Sequence, residues 1–378
     1  MELLNFINTH NNWKELLAAK PYCLDIGNDG DYYIFKYNMI ESDFSEPIVC
    51  EARGCIVRFD TERNEWICVA RAFDKFFNYG EKYSAVGDID WKTAVVQQKV
   101  DGSLIKIWYD RDEWHISTNG TIDAFKASCG DTTYGDLVSR AIATMPDFWY
   151  ALDTNYCYIF ELTSPFNHIV IRYEGISIWF LARRNMTTFE EDSEIPEIEN
   201  LRRPAVFPHH SLSECVEAAH HMGDDEEGYV VVDTFYNRIK VKGDEYLRLH
   251  KIRGNGPLTI VRVIEMWQSE SLDDFVAYYP EYKEFVDGVI HAINHLIQIS
   301  DIAFSTVLSY VNDNPNNRRT FARYATTYIA PVSSFLFARL DEKVHNAYQY
   351  FYTMRARSLA SHIAKDVHVE NEGVMEDE

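Results

Sequence analysis

The sequence lacks the features of a membrane protein and of a disulfide-stabilised secreted protein. No apolar run approaches the roughly 20 residues that a helix needs to cross a bilayer. The first five residues contain no basic segment of the kind that begins a signal peptide. The seven cysteines are odd in number and include no Cys-x-x-Cys pair, which argues against a disulfide framework and a zinc site. We therefore expect a cytoplasmic chain with reduced and mostly buried thiols.

Basic residues are also scarce. The chain has 36 Lys+Arg against 59 Asp+Glu, which gives a formal net charge of −23. A protein this acidic does not hold nucleic acid by bulk electrostatic attraction. The acidic run at residues 190–194, followed by Glu197 and Glu199, is interpreted as a solvated loop. A site for a polyanion would have to be a local basic patch in a repulsive field, so we expect binding there to be weak or transient.

The length and composition indicate two well-cored globular domains. The 378 residues are 46% hydrophobic and include 8 Trp, 24 Tyr and 22 Phe. The strongest break is Gly254-Asn255-Gly256-Pro257, because strand patterns dominate before it and helical spacing dominates after it. We predict an α+β domain at residues 1–253, an all-α domain at 254–365, and a disordered acidic tail at 366–378.

Local patterns predict the main elements of the first domain. Two helices are expected at residues 11–20 and 211–221, the second with a capping residue at Ser211. Alternating or buried apolar runs predict strands at 32–37, 55–59, 103–109, 114–118, 158–161, 228–232 and 239–242. Residues 168–173 and 176–182 are predicted to pair as a hairpin about Glu174-Gly175.

Lys99 lies where an apolar run ends, and Asp101-Gly102 follows it before the next strand begins. An amine in this position can act as a covalent nucleophile. A glycine lets the backbone approach a phosphate closely, and a carboxylate can orient a ribose or a metal-bound water. A surface hairpin would have the same four residues, so Lys-x-Asp-Gly alone does not distinguish a catalytic site from a hairpin.

Two further groups of lysines have structural and functional interpretations. Lys240 and Lys242 share one face of a predicted strand, where they repel each other unless an anion lies nearby. A solvated edge strand is the alternative. Lys75 lies within the aromatic run 73–78, where a lysine snorkelling from the edge of the core is the alternative.

Taken in order, four motifs between residues 99 and 242 resemble those of the covalent nucleotidyltransferases, the superfamily of DNA ligases, RNA ligases and mRNA capping enzymes. They are Lys99-Val100-Asp101-Gly102, Glu161, Glu227-Gly228 and Lys240-Val241-Lys242. The chain most resembles the bacteriophage RNA ligase 1 family. The additional matches are Glu51-Ala52-Arg53-Gly54, Lys75-Phe76-Phe77-Asn78, residues 161–170 and 179–183, Tyr246 and His250.

The resemblance implies an α+β nucleotidyltransferase domain with ATP-grasp-like antiparallel sheets and flanking helices, followed by an all-α domain. It implies ATP as the nucleotide, Mg²⁺ as the metal with Mn²⁺ as a substitute, and a lysyl-adenylate on Lys99. The implied catalytic residues are Lys99, Lys240 and Lys242. The implied nucleotide-binding residues are Arg53, Lys75, Phe77, Asp101, Gly102, Glu161, Glu227, Gly228, Lys240 and Lys242. The implied metal ligands are Glu227, Asp101 and Glu161, although Glu161 could hold a ribose hydroxyl instead.

One residue departs from the family pattern. Asn119 stands where the family has a lysine before Gly-Ser, so a basic contact is missing there. Either Lys106 or Lys126 replaces it, or Asn119 hydrogen-bonds the nucleotide without the charge. The expected partner is RNA with 5′-phosphate and 3′-hydroxyl ends, including nicked tRNA, sealed by a monomer in the cytoplasm of an infected host cell. The alternatives are a DNA ligase or capping-type enzyme, which would carry an OB domain after the lysine pair, and an inactive RNA-binding adapter on the same scaffold.

Overall fold

A computed structural model describes most of the chain. The described residues are 1–39, 41–129, 131–167, 171–195, 197–223, 225–243, 258–268, 280–311 and 318–367, together with 272, 275 and 276. The chain divides into two compact units, Met1–Arg253 and Gly254–Glu378. The predicted boundary motif, Tyr246, His250 and most of the acidic tail lie outside the described residues.

The first unit is built on antiparallel sheets. A four-stranded meander comprises β1 Leu24–Asp29, β2 Tyr32–Tyr37, β3 Arg53–Asp60 and β4 Glu65–Ala70. The remaining strands are β5 Phe77–Asn78, β6 Val95–Gln98, β7 Ser103–Asp110, β8 Glu113–Thr118, β9 Ser128–Cys129, β10 Thr132–Thr133, β11 Tyr156–Thr163, β12 Ser177–Asn185, β13 Glu191–Asp192, β14 Val206–Phe207, β15 Gly228–Val232 and β16 Arg238–Lys242. They form two five-stranded sheets, β13-β12-β11-β7-β8 and β14-β6-β15-β16-β5, and the pair β9–β10. Only β5, which pairs with β16, is parallel to its neighbour among the described strands.

Helices cover each of the larger sheets of this unit. They are α1 Glu2–Thr9, α2 Trp13–Ala18, α3 Pro47–Glu51, α4 Tyr134–Ile142 and α5 Leu212–His220. Helix α4 packs Leu137 and Val138 onto the sheet that contains β7 and β11, and α5 packs Cys215 onto the sheet that contains β16. The Ser211 hydroxyl accepts a hydrogen bond from the Glu214 backbone N–H, so this cap begins α5 as predicted.

The described part of the second unit is helical. Its helices are α6 Ile260–Gln268, α7 Lys283–Tyr310, α8 Arg318–Ala325, α9 Val332–Leu340, α10 Ala347–Tyr352 and α11 Ala356–Ile363. Residues 332–363 thus form three separate helices. None of the helices that the structure describes is long and apolar enough to span a membrane. The predicted α+β class with antiparallel sheets and a helical C-terminal region is confirmed.

Two local predictions are wrong. Strand β12 pairs with β11 and β13, and residues 171–173 form no strand, so there is no hairpin about Glu174-Gly175; residues 168–170 lie outside the described residues. Instead of pairing, the Ile171 backbone N–H donates to Asp101. The acidic run is not wholly a solvated loop either. Glu191 is buried because it forms ion pairs with Arg184 and Arg238.

Close backbone approach requires a glycine at position 228. Gly228 has a φ of +145°, and a Cβ atom there would lie 2.1 Å from the Val241 carbonyl oxygen of the neighbouring strand. We expect Gly228→Ala to lower the free energy of unfolding by about 2 kcal/mol or more, through strain and overlap. Urea unfolding followed by circular dichroism measures this change.

Gly175 provides the matched control, because a Cβ atom there would meet nothing within 4 Å. Gly175→Ala should leave stability within about 0.5 kcal/mol of the original chain. Equal stability of the two variants would contradict the close approach at position 228.

Candidate active site

Lys99 lies at the junction of two strands of one sheet. It follows β6 directly, and its backbone N–H donates to the Gly228 carbonyl of β15 at 2.8 Å. Its Nζ atom lies 2.7 Å from Glu227 Oε2. The Lys99 side chain keeps 19% of its surface exposed, whereas Glu227 keeps only 3%. The amine therefore stands at the opening of a buried carboxylate site.

Glu227 is shared between two lysines. The pairing of β15 with β16 places Gly228 opposite Lys242, and Lys242 Nζ lies 3.2 Å from Glu227 Oε1. Lys242 is as buried as the carboxylate, at 4% exposure. The β16 strand also lies between β15 and β5, so the alternative of a solvated edge strand for Lys240 and Lys242 is wrong.

The Phe76 ring makes cation–π contacts with two other cations of the predicted site. The Lys240 Nζ atom lies 5.2 Å from the centre of the Phe76 ring, and the guanidinium carbon of Arg53 lies 5.5 Å from it. Arg53 Nη1 is buried and has no hydrogen-bond partner among the described residues. Since a buried guanidinium N–H needs an acceptor, this atom suits an oxyanion of a bound ligand.

The Asp101-Gly102 turn packs against the end of β11. A Cβ atom at Gly102 would lie 2.3 Å from the Leu162 carbonyl oxygen and 3.0 Å from Glu161 Cγ, so only glycine allows this contact. Burial raises the pKa of Glu161 to about 8; Lys99 and Arg53 oppose this rise, while Glu227 and Asp101 add to it. Glu161 therefore shares one electrostatic environment with the nucleophile and the other two carboxylates.

Tyr173 belongs to the same environment, although no motif singled it out. The Asp101 backbone N–H donates to its hydroxyl. Its pKa is raised by burial and then by the charges of Asp101, Glu227 and Glu161. Tyr173 follows the third motif in a stretch that was expected to be a strand, and only the contact of this stretch with Asp101 reveals its position.

Phe77 lies in β5, which flanks β16 on the side away from β15, and Lys75 lies beside it. Phe77 pairs with Ile239 in parallel, and Lys75 Nζ lies 5.3 Å from the Phe77 ring, 5.4 Å from that of Tyr37 and 5.9 Å from that of Phe44. Lys75 is buried, so its ammonium group does not reach bulk water as a snorkelling lysine would. Rings from three separate segments of the chain therefore surround this lysine.

Asn119 lies beside the Arg53-Gly54 motif. A Cβ atom at Gly54 would come within 2.8 Å of the Asn119 Cα and backbone oxygen atoms, which brings this residue next to Arg53. Of the two lysines considered as substitutes, Lys106 donates to the Thr118 carbonyl at 2.5 Å, and Lys126 forms an ion pair with Asp29 of β1. Lys106 thus contacts the residue that precedes Asn119, whereas the Lys126 ammonium group contacts β1.

The carboxylates of this region have the chemistry of a site for a hard divalent cation. Glu227, Asp101 and Glu161 offer the oxygen ligands that Mg²⁺ and Mn²⁺ prefer. In the structure Glu227 binds two lysines and Asp101 accepts the Ile171 N–H. Within the described residues, no group of three or more His, Cys, Asp or Glu side chains is already arranged as a metal site. The residues fit such an ion in ligand type.

Comparison with known proteins identifies the family. The sequence model of the family described as RNA ligase matches residues 51–246, more than half of the chain. A putative bifunctional polynucleotide kinase/RNA ligase of Autographa californica nuclear polyhedrosis virus is 32% identical over 293 residues, covering 72% of this chain and 41% of the viral protein. An RNA ligase of Rhodothermus phage RM378 is 26% identical over 385 residues, covering 83% of this chain and 86% of the phage protein. This chain therefore spans less than half the length of its viral relative.

A solved archaeal ATP-dependent RNA ligase is also similar, with a TM-score of 0.43 and 11% identity over 93% of this chain and 86% of that one. The sequence matches alone carry the assignment. The chain belongs to the RNA ligase family, in its phage RNA ligase 1 branch, as the motifs predicted.

The shared carboxylate predicts a large stability effect at Glu227. Glu227→Ala removes the charge that Lys99 and Lys242 both contact, and loss of one member of a buried ion pair costs about 3 kcal/mol. We expect a fall of this size in the free energy of unfolding, measured in urea. The double variant Glu227→Ala/Lys242→Ala should recover part of the loss, because it also removes the buried ammonium group.

Glu226 is the matched control, since it precedes Glu227 and is only half-buried. Glu226→Ala should change stability by no more than about 0.5 kcal/mol. A similarly small effect of Glu227→Ala would mean that the ion pairs do not stabilise the folded chain.

Proposed function

We propose that the chain is an ATP-dependent ligase that joins the 5′-phosphate and 3′-hydroxyl ends of RNA through a lysyl-adenylate and an RNA-adenylate. The observation that carries this proposal is the contact of Lys99 with Glu227 and, through it, with Lys242. A partly exposed amine beside a buried carboxylate, with Lys242, Lys240 and Arg53 around it, has the elements needed to attack a phosphate and to stabilise its charge.

The first step would be carried out by Lys99. Its Nζ atom, after losing a proton, attacks the α-phosphorus of ATP; an N–P bond forms, the bond to the β-phosphate oxygen breaks, and pyrophosphate leaves. Lys240, Lys242 and the Arg53 guanidinium would neutralise the oxygens of the reacting phosphate. Because Lys99 is ion-paired with Glu227, the pair has to separate before the amine attacks.

The two later steps transfer and then release AMP. A 5′-phosphate oxygen of RNA attacks the same phosphorus, which breaks the N–P bond and returns Lys99. The 3′-hydroxyl of the second RNA end then attacks the 5′-phosphorus, so a phosphodiester forms and AMP leaves. Glu227, with Asp101 and Glu161, would hold a Mg²⁺ or Mn²⁺ ion, which would supply positive charge to the phosphate oxygens.

The alternatives have less support. Residues 258–367, where described, form helices rather than the OB domain expected of a DNA ligase or capping enzyme. An inactive adapter would have no reason to retain Lys99 together with Glu227 and the lysine pair. The biological substrate we propose is cleaved RNA, with nicked tRNA as the first candidate, in the cytoplasm of an infected cell, and we propose a monomer.

Replacement of the nucleophile tests the reaction directly. Lys99→Ala should abolish labelling of the protein by α-labelled ATP and Mg²⁺, because no amine remains to accept AMP. The same variant should still seal RNA supplied with a 5′-adenylate, since that step does not use the amine. Gel detection of labelled protein and of sealed RNA gives both results. Chelation of divalent ions before ATP is added should prevent labelling of the unaltered chain.

Lys92→Ala is the matched control, because Lys92 is exposed and precedes the same strand. Lys92→Ala should be labelled by ATP at the same rate as the original chain. A protein–AMP adduct that persists in Lys99→Ala would assign the nucleophile to another residue and defeat the proposal.

We propose that the second unit selects the RNA. All residues matched to the nucleotide site precede position 254, so a chain of residues 1–253 should still react with ATP. It should lose the preference of the full chain for a nicked stem-loop over an unstructured strand, because shape-selective contacts would be absent. Candidate contacts are Arg319, Arg355 and Arg357, which are exposed, whereas Arg318 is paired with Asp341 and Arg339 packs on Phe304.

The ratio of sealing rates on the two RNA substrates decides this question. Circular dichroism first verifies that residues 1–253 fold. An unchanged ratio in the shortened chain would assign the second unit a stabilising role only.

A further inference from the structure

The turn that follows β11 is hydrogen-bonded to the strand that follows the nucleophile motif. The Ser164 hydroxyl donates to Asn167 Oδ1 at 2.5 Å and accepts the backbone N–H groups of Phe166 and Asn167. Asn167 Nδ2 donates to the Leu162 carbonyl at 2.8 Å and to Ser103 Oγ at 3.1 Å. Ser164 and Asn167 are both buried. The turn is therefore fixed by polar side chains that reach the residue next to Gly102.

The same segment is attached to the motif at a second point. The Ile171 backbone N–H donates to Asp101 Oδ2 at 2.7 Å, and the Leu162 carbonyl packs on Gly102. Residues before and after Phe166 thus contact three consecutive residues of the motif, Asp101, Gly102 and Ser103. Phe166 therefore lies in a turn that contacts the segment following Lys99.

Phe166 is exposed although Ser164 and Asn167 of the same turn are buried. Its side chain keeps 52% of its surface in solvent, whereas Phe160 on the strand that leads to the turn is completely buried. A single exposed aromatic residue is common and needs no explanation by itself. What distinguishes Phe166 is that its backbone is hydrogen-bonded to Ser164 in a turn whose Asn167 side chain contacts Ser103, next to Asp101 and Gly102.

We propose that Phe166 is a stacking platform for a nucleobase of the RNA end that is being sealed. This proposal rests on the proposed function and adds a contact for the RNA to it. Sequence-tolerant recognition of single-stranded ends uses aromatic rings on which bases stack. Stacking also suits a chain with a net charge of −23, because it does not require a basic surface. A ring in the turn that contacts Gly102 and Ser103 would align the terminal nucleotide with the phosphate to be joined.

The direct test is binding of a fluorescent 5′-phosphorylated RNA oligonucleotide to the full chain, followed by anisotropy. Phe166→Ala and Phe166→Leu should each weaken binding about 10-fold, the size of effect seen when one stacked base loses its aromatic partner. Phe166→Trp should bind at least as well as the original chain. The slope of affinity against salt should be the same for all variants, because no phosphate contact is removed. Phe235→Ala is the matched control, since Phe235 is 73% exposed in the turn between β15 and β16.

A modified RNA tests the contact itself. Removing the terminal base should weaken binding to the original chain about 10-fold but leave the affinity of Phe166→Ala almost unchanged, because the stacking partner is already absent. Labelling by ATP, which needs no RNA, should change less than twofold in Phe166→Ala.

Three results would overturn the proposal. Phe166→Leu could bind RNA as tightly as the original chain, which would leave no role for the ring. The loss could instead appear only in the ATP concentration needed for labelling, which would assign the ring to the adenine of ATP. Labelling and RNA binding could also fall together in Phe166→Trp, which would make Phe166 a structural part of the turn. Failure of the original chain to react with ATP would refute the proposed function, and the binding assay would still measure the stacking contact.

Discussion

The site depends on one buried carboxylate that two lysines from different strands contact. Glu227 is nearly inaccessible to water, and a buried charge is tolerated only when cations compensate it. The backbone contact between Lys99 and Gly228, and the register that places Gly228 opposite Lys242, bring both amines to the same carboxylate. The geometry of three strands, β6, β15 and β16, is thereby coupled to the charge state of a single side chain.

A second buried carboxylate joins the two five-stranded sheets. Glu191 of β13 contacts Arg184 of β12 in one sheet and Arg238 of β16 in the other. Arg238 precedes Lys240 and Lys242 by two and four residues, so the three cations share one face of β16. The Arg238 guanidinium also packs on Phe73, 4.2 Å from the ring centre. This contact between the sheets fixes the end of the strand that presents the lysine pair.

The features that could be predicted were those contained in short stretches of sequence. Alternation placed Lys240 and Lys242 on one face, and the motif order identified Lys99 and its family. The prediction failed where partners are distant in the chain. Nothing near Glu191 indicates that an arginine 47 residues later buries it. The hydroxyl of Tyr173 likewise became part of the site through the Asp101 backbone, a contact without any local sequence pattern.

The distribution of charge between interior and surface has a consequence for the response to electrolytes. The buried charged side chains of the described residues comprise six basic and six acidic ones, so the interior is balanced and the excess negative charge lies outside it. Dissolved salt screens exposed charges beyond about 8 Å at physiological ionic strength, but it screens buried pairs much less. Added salt therefore relieves repulsion among surface carboxylates without weakening the contacts of Glu227 and Glu191. We therefore expect added salt to stabilise the folded chain, whereas it would destabilise a protein held together by surface ion pairs.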